Sequence, residues 1–269
     1  MPTTAVMAPP LGYHVRCRLK DDRVIAPTPA HRRILSRVVL EKTREHRLLA
    51  HNAVDTHLHL ELAENKACCM ELARRIEGSL HHRLDLEVGF AKARPKPIED
   101  YAHLNNCFDY IQRQQPHHGL AWDPLREASN LLDLLEMRLI GRHSRQAQRQ
   151  RLPRIGTPQL LRYLGLERLR PADGPPEVVV PAALVATGLN DLSRRTPEQQ
   201  AARRAILELV DGKLPLTRLA EQLGVNRRTL QRARDLPLDQ SLVNAIRRVL
   251  GLRQAKLAAR QAREEPGTV

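Results

Sequence analysis

A chain of 269 residues is longer than one small core requires, and at roughly 100–200 residues per domain it is long enough for two. Its 44 Lys and Arg outweigh 30 Asp and Glu, a formal net charge of +14, which favours a polyanionic partner: Arg makes forked hydrogen bonds to phosphate, and a positive field speeds association with nucleic acid. No apolar run approaches the roughly 20 residues that span a bilayer, no charged-then-apolar leader is visible, and the four cysteines lack a C-x-x-C spacing, so no membrane partner is expected, the thiols read as reduced, and the cytoplasm is the expected compartment.

The segment YHVRCRL (13–19) alternates and predicts a half-buried strand. From Pro29 to about Arg47, Ile34, Leu35, Val38, Val39 and Leu40 recur between Arg and Glu, the stripe of an amphipathic helix. LLAHNAVDTHLHLELA (48–63) predicts two adjacent strands, Asn65 caps a second helix running to His82, and a short strand precedes a third helix after Pro97. This order predicts an α+β fold over residues 10–140, a small antiparallel sheet with helices on one face. GRHSRQAQRQRLPRIGTP lacks apolar periodicity and reads as a basic linker, and 141–195 as linker and accessory segment, with a short helix after Thr157-Pro158 and an apolar piece, PPEVVVPAALVATG, of no legible role.

From 196 to 263 the chain reads as all-α. Thr196, Pro197 and Gln199 form a capping box, and LPLTRLAEQLGVNRRTLQRARDLP fits a helix-turn-helix. In that motif Leu219, Ala220 and Leu223 pack, Gly224 turns the chain, Asn226 caps the next helix, and Val225 and Leu230 close the core. Arg227, Arg228, Gln231 and Arg232 on the exposed side of that helix can reach purine edges in a major groove; the alternative is a solvated basic face. Between Glu198 and Arg263, 14 Lys or Arg oppose six Asp or Glu, so +8 of the charge lies here, as duplex or folded DNA would require. Truncation near Arg194 is therefore expected to spare any chemistry of the N-terminal part.

In DTHLHLEL, strand alternation puts Asp55, His57, His59 and Glu61 on one side, free for chemistry, and Leu58, Leu60 and Leu62 on the other. Two neutral imidazoles two residues apart on one strand face can share a metal ion. Two histidines on a solvated face remain the plain alternative. The same letters resemble the first-strand signature of barrel amidohydrolases, but no run of parallel-strand blocks follows. In YAHLNNCFDYIQRQQPHHG (101–119), Leu104, Cys107, Phe108 and Ile111 face the sheet, while His103, Asn106, Tyr110 and Gln114 line one helix edge. A tyrosine oxygen can attack phosphorus to give a 5′-phosphotyrosine, and a nearby amide oxygen can join His57 and His59 on a metal. Tyr13, Tyr101 and Tyr163 are weaker candidates, and His117 and His118 read as a polar helix-end cluster rather than metal ligands. Aromatics form only 3% of the chain, which favours grip by Arg and backbone amides over base stacking.

HLHLEL followed some fifty residues later by YIQRQQPHHG resembles the single-tyrosine HUH transposases of small insertion sequences and the REP-associated group. The resemblance covers residues 13 to about 120. It implies a ferredoxin-like fold, Mg2+ or Mn2+ held by His57, His59 and Gln114, Tyr110 as nucleophile, and single-stranded or hairpin DNA as substrate. It also implies a homodimer and leaves two placements open: Tyr110 acting within its own chain, or in trans where the partner's tyrosine helix completes the site. The sequence departs from the REP-associated pattern, which has Asn-Pro after the tyrosine where this chain has Gln114-Gln115-Pro116, and the helical tail lies outside the minimal enzyme. A transposase that nicks and rejoins single strands is thus the leading expectation; a non-catalytic DNA-binding regulator and a metal-dependent hydrolase are the alternatives.

Overall fold

The computed structural model describes residues 8–264, except for the side chains of Tyr163 and of 259–264, so one of the competing tyrosine side chains lies outside the described residues. The chain divides into two units: Met1–Leu131 with His143–Ile155, and Leu132–Arg142 with Gly156–Val269.

Unit 1 runs β1 (Gly12–Arg18), α1 (Pro29–Lys42), β2 (Leu48–Val54), β3 (His57–Leu62), α2 (Lys66–Arg83), β4 (Lys96–Ile98), α3 (Tyr101–Gln112) and α4 (Gln114–His117). Its four strands are ordered β2-β3-β1-β4, with every neighbouring pair antiparallel. Local signals set the helix starts: Thr28, Asn65 and Asp100 each accept the backbone N–H three residues on. Gly12 allows β1 to approach β3 closely, because a Cβ there would lie 2.4 Å from the Leu62 carbonyl oxygen.

Both faces of the sheet are covered, not one. On one side Val15, Cys17, Leu58 and Leu60 are buried with Leu35, Val38 and Val39 of α1 and Leu72 and Ile76 of α2, each worth roughly 1.5–3 kcal/mol. On the other, α3 packs on β2 and β3, and Asn52 Nδ2 donates to the Ile111 carbonyl at 2.9 Å. The polar side of HLHLEL is therefore not open: His59 is 3% exposed and Glu61 fully buried. Asp55 leaves the row altogether, since it sits in the hairpin turn at φ 57.

The outer edge of β2 is closed by residues 128–130, where Ala53 N donates to Ala128 O and Asn130 N to His51 O. The run expected as a basic linker contains α6 (Arg142–Arg151), preceded by α5 (Leu131–Leu134). Within α6, Ser144, Ala147 and Gln148 are buried, and Ser144 Oγ accepts from Asn130 Nδ2 at 2.8 Å.

Unit 2 continues with α7 (Thr157–Tyr163), α8 (Pro176–Thr187), α9 (Pro197–Val210), α10 (Leu216–Gln222), α11 (Arg227–Arg234) and α12 (Gln240–Glu264). The apolar piece of no legible role is α8, whose Val179, Ala182, Ala183, Val185 and Ala186 are buried, with α9 and α12 packed against it. Thr196 caps α9 through the Gln199 N–H, but Gln199 Nε2 donates to Asp191 O, so only half of the capping box forms. Gly224, at φ 63, turns the chain between α10 and α11, and Asn226 caps α11 by accepting from Thr229 N at 2.8 Å. A fully buried pair, Arg138 and Asp133, ties the 132–142 segment together, with Gly141 N donating to the same carboxylate.

Candidate active site

Antiparallel pairing of β1 with β3 sets Arg18 opposite His57, Arg16 opposite His59 and His14 opposite Glu61, all on the face that meets α3. His14 Nε2 and His59 Nδ1 are 2.9 Å apart, and their rings stack with centroids 5.2 Å apart. The Tyr110 ring stands edge-on to both, 5.7 Å from His59 and 6.0 Å from His14, and is 40% exposed. His57 and His59 have centroids 6.0 Å apart, and His57 Nδ1 meets Thr56 Oγ1 at 2.9 Å, which leaves Nε2 as the nitrogen open to a ligand. Two strands and one helix of a single chain thus assemble three imidazoles and a phenol.

The histidines are in their neutral form. Burial pushes His59 down to about 3, helped by His14, His57 and Arg16. Burial also pushes His14 down to about 4, with Lys96 and Arg16 adding to it, and lowers His57, with Arg16 and Arg18 adding. Glu61, buried without a hydrogen-bond partner for either oxygen, is held well above the ordinary carboxylate range by its burial.

Tyr110 stands between two hollows of about 470 Å3 each. One is lined by His14, His59, Arg16, Arg18, Lys92, Arg94 and Lys96; of its five cations Arg18 is paired with Asp22 at 2.8 Å, and no carboxylate lines the hollow itself. The other runs past Asn106, Asp109, Arg113, Pro116 and His117. The phenol is therefore reachable from a basic groove in which phosphate oxygens find both charge and forked donors.

Gln114 does not continue the helix edge of His103, Asn106 and Tyr110. The helix ends at Gln112, and Gln114 opens α4 with its side chain fully buried, Nε2 donating to the Tyr110 carbonyl at 3.0 Å and Oε1 without a partner. His117, read from the sequence as part of a helix-end cluster, lies with its ring 5.4 Å from Tyr110, while His118 Nδ1 is 3.8 Å from Asp55. His14 has no signal in the sequence beyond sharing a strand face with Arg16 and Arg18 in YHVRCR, because it meets His59 only through the pairing of β1 with β3. Of the other tyrosines, Tyr13 is buried in β1 and Tyr101 is exposed at the start of α3.

Two features fit a divalent cation here: neutral imidazoles, and a buried amide oxygen at Gln114 that lacks a donor. Among the described residues, one His, Cys, Asp and Glu trio has its ligand atoms within 4.8 Å of one another, and it is His46, Glu64 and Cys68, at the far end of the hairpin. In unit 2, Arg227, Arg228, Gln231 and Arg232 are all exposed on α11. No protein-family model, no curated protein and no solved structure matches this chain.

Proposed function

We propose that unit 1 is a strand-cutting and strand-joining enzyme for single-stranded DNA, a transposase-type nuclease with Tyr110 as nucleophile, and that α10 and α11 form a helix-turn-helix that grips duplex DNA. The observation that carries this reading is the half-exposed Tyr110 ring, 5.7 Å from neutral His59 at the mouth of a groove with five cations. The β-α-β-β-α-β order of unit 1, with strand order β2-β3-β1-β4, supports reading it as the ferredoxin-like domain that the resemblance implies.

The groove's Arg16, Arg18, Arg94, Lys92 and Lys96 hold the phosphates on either side of the scissile one and orient it toward Tyr110. The Tyr110 oxygen attacks phosphorus as its proton passes to His117, whose ring lies 5.4 Å away and which is not one of the proposed metal ligands. The bond from phosphorus to the 3′-oxygen breaks, the 3′-oxygen takes up that proton by way of water, and the 5′-phosphate stays on Tyr110. Attack by a 3′-hydroxyl reverses these steps and rejoins the strand. His57, His59 and Gln114 are the residues that would hold Mg2+ or Mn2+, and such an ion would supply positive charge to polarise the phosphate. Tyr110 stands beside the imidazoles of its own chain, so this geometry needs no second copy to supply the nucleophile.

Incubation with a labelled hairpin oligonucleotide pool and Mn2+ is expected to give a protein–DNA adduct stable to denaturant, lost in Tyr110→Phe and reduced at least about a hundredfold in His59→Ala. Absence of any adduct, together with salt-sensitive duplex binding, would select the non-catalytic regulator. An adduct in Tyr110→Phe would overturn the nucleophile.

A further inference from the structure

The open end of the β2–β3 hairpin carries a second constellation. His46 precedes β2 and Glu64 follows β3, and the Leu48–Leu62 pairing brings the two together. The first turn of α2 adds Cys68, whose Sγ is 3.5 Å from His46 Nδ1. One ligand atom from each of the three lies within 4.8 Å of the others. A tetrahedral zinc ion at about 2.0–2.3 Å from its donors keeps them roughly 3.3–3.8 Å apart, so closing the site takes about an ångström of side-chain movement.

We propose that His46, Glu64 and Cys68 form a zinc site that is separate from the Tyr110 centre. A thiolate, an imidazole and a carboxylate together select Zn2+ over Mg2+ or Mn2+, which prefer oxygen. Glu64 already has its outer partner: Arg47 donates from Nε to Oε1 and from Nη2 to Oε2, both at 3.2 Å, and its backbone N–H reaches Oε1 at 2.9 Å. A carboxylate has about four lone-pair positions, so these bonds fix its orientation and leave one for metal. Binding breaks the Cys68 S–H bond, forms a metal–sulfur bond and releases one proton to the buffer. Three protein ligands on a half-buried surface leave the fourth position to water.

His57 starts β3 and Leu62 ends it, so roughly 17 Å of strand separates this site from the catalytic histidines and one ion cannot serve both. The neighbouring Cys69 is fully buried and its thiol donates to the Glu64 backbone carbonyl at 3.8 Å, which turns it away from the three side chains. The ion would clip the hairpin's open end to the start of α2.

Co2+ titration of the full chain, kept reduced without thiol reagents, tests this. One equivalent is expected to raise a thiolate-to-cobalt charge-transfer band that Zn2+ bleaches. The band disappears in Cys68→Ser, persists in Cys69→Ser and in the His57→Ala/His59→Ala pair, and needs roughly tenfold or more Co2+ in His46→Gln. Saturating Zn2+ is expected to raise the melting temperature of wild type by roughly 5–10 °C and that of Cys68→Ser by much less. A wild-type chain without the band, a band that survives Cys68→Ser, or His46→Gln with unaltered Co2+ affinity overturns the site. None of these outcomes depends on DNA cleavage.

Discussion

The 2.9 Å contact between His14 and His59 needs one N–H and one lone pair, so the two rings cannot both be charged. Their folded values of about 4 and about 3 lie below the ordinary 6.5, and the sign of the effect follows. As pH falls below 6.5, the unfolded chain takes up protons that the folded chain refuses. The stability these histidines contribute is therefore complete above pH 6.5 and lost progressively down to about pH 3, by roughly 1.4 kcal/mol per pH unit for each. Glu61 acts with the opposite sign: its raised value makes the fold lose stability as pH rises above the ordinary carboxylate range. The informative quantity is consequently a difference. Urea midpoints of metal-free wild type and His14→Gln between about pH 5 and 7, where surface carboxylates stay ionised, are expected to converge toward the lower pH, because the variant has lost one of the two pH-sensitive groups. Parallel curves would mean that His14 takes up its proton as readily in the folded chain as in the unfolded one, which would overturn the lowered value. His14 also shows what a sequence conceals at this scale. His57 and His59 declare themselves by a two-residue spacing, whereas His14 joins them only through a pairing across 45 positions, which no local pattern encodes.

At the scale of elements, Asn130 is the busiest joint in unit 1. Its Oδ1 accepts from His51 N and Gln112 Nε2 at 3.0 Å each, and its Nδ2 donates to Leu49 O and Ser144 Oγ. One buried side chain thus satisfies the free edge of β2 and ties α3 and α6 to it. Asn130→Ala removes all four bonds and strands buried donors and acceptors, so we expect a loss of roughly 3–5 kcal/mol in chemical denaturation, with the far-ultraviolet spectrum unchanged at low denaturant. A loss under about 1 kcal/mol would mean that water takes over the joint. Three helix starts were legible because their signals are local: Asn65, Thr196 and Asn226 each cap through their own side chain, as Thr28 and Asp100 also do without having been singled out in the sequence. The second helical layer was not legible. The stripe Leu104, Cys107, Phe108 and Ile111 says that α3 has a buried side, but not which face of the sheet it meets, and that choice decides whether His59 and Glu61 are solvated or enclosed. α6 was missed for a related reason: its buried positions are Ser144, Ala147 and Gln148, polar or small residues that leave no hydrophobic period.

For the whole molecule, the path of the chain between units changes what a truncation means. A cut near Arg194, which the sequence makes look like a linker cut, falls inside unit 2: it removes α9 and α12 and leaves α8 without its partners. Val179, Ala182, Ala183, Val185 and Ala186 then face water, an apolar stripe that invites aggregation. The boundary that respects the packing is Ile155, because His143–Ile155, with α6, returns to unit 1. Leu132–Arg142 belongs to unit 2, so a chain of residues 1–155 still carries Leu132, Leu135 and Met137 without the neighbours that bury them. Replacing 132–142 by a Gly/Ser segment of equal length removes that liability at little cost, since loop-closure entropy depends on length and the length is kept. We expect this shortened chain to melt cooperatively and to retain the Mn2+-dependent adduct at Tyr110, while the chain ending at Arg194 loses residues 156–194 to limited proteolysis and aggregates on heating. A cooperative, protease-resistant 1–194 would show that α8 is stable without α9 and α12. A 1–155 chain that folds but forms no adduct, beside a full-length protein that does, would instead make the second unit a participant in strand cutting.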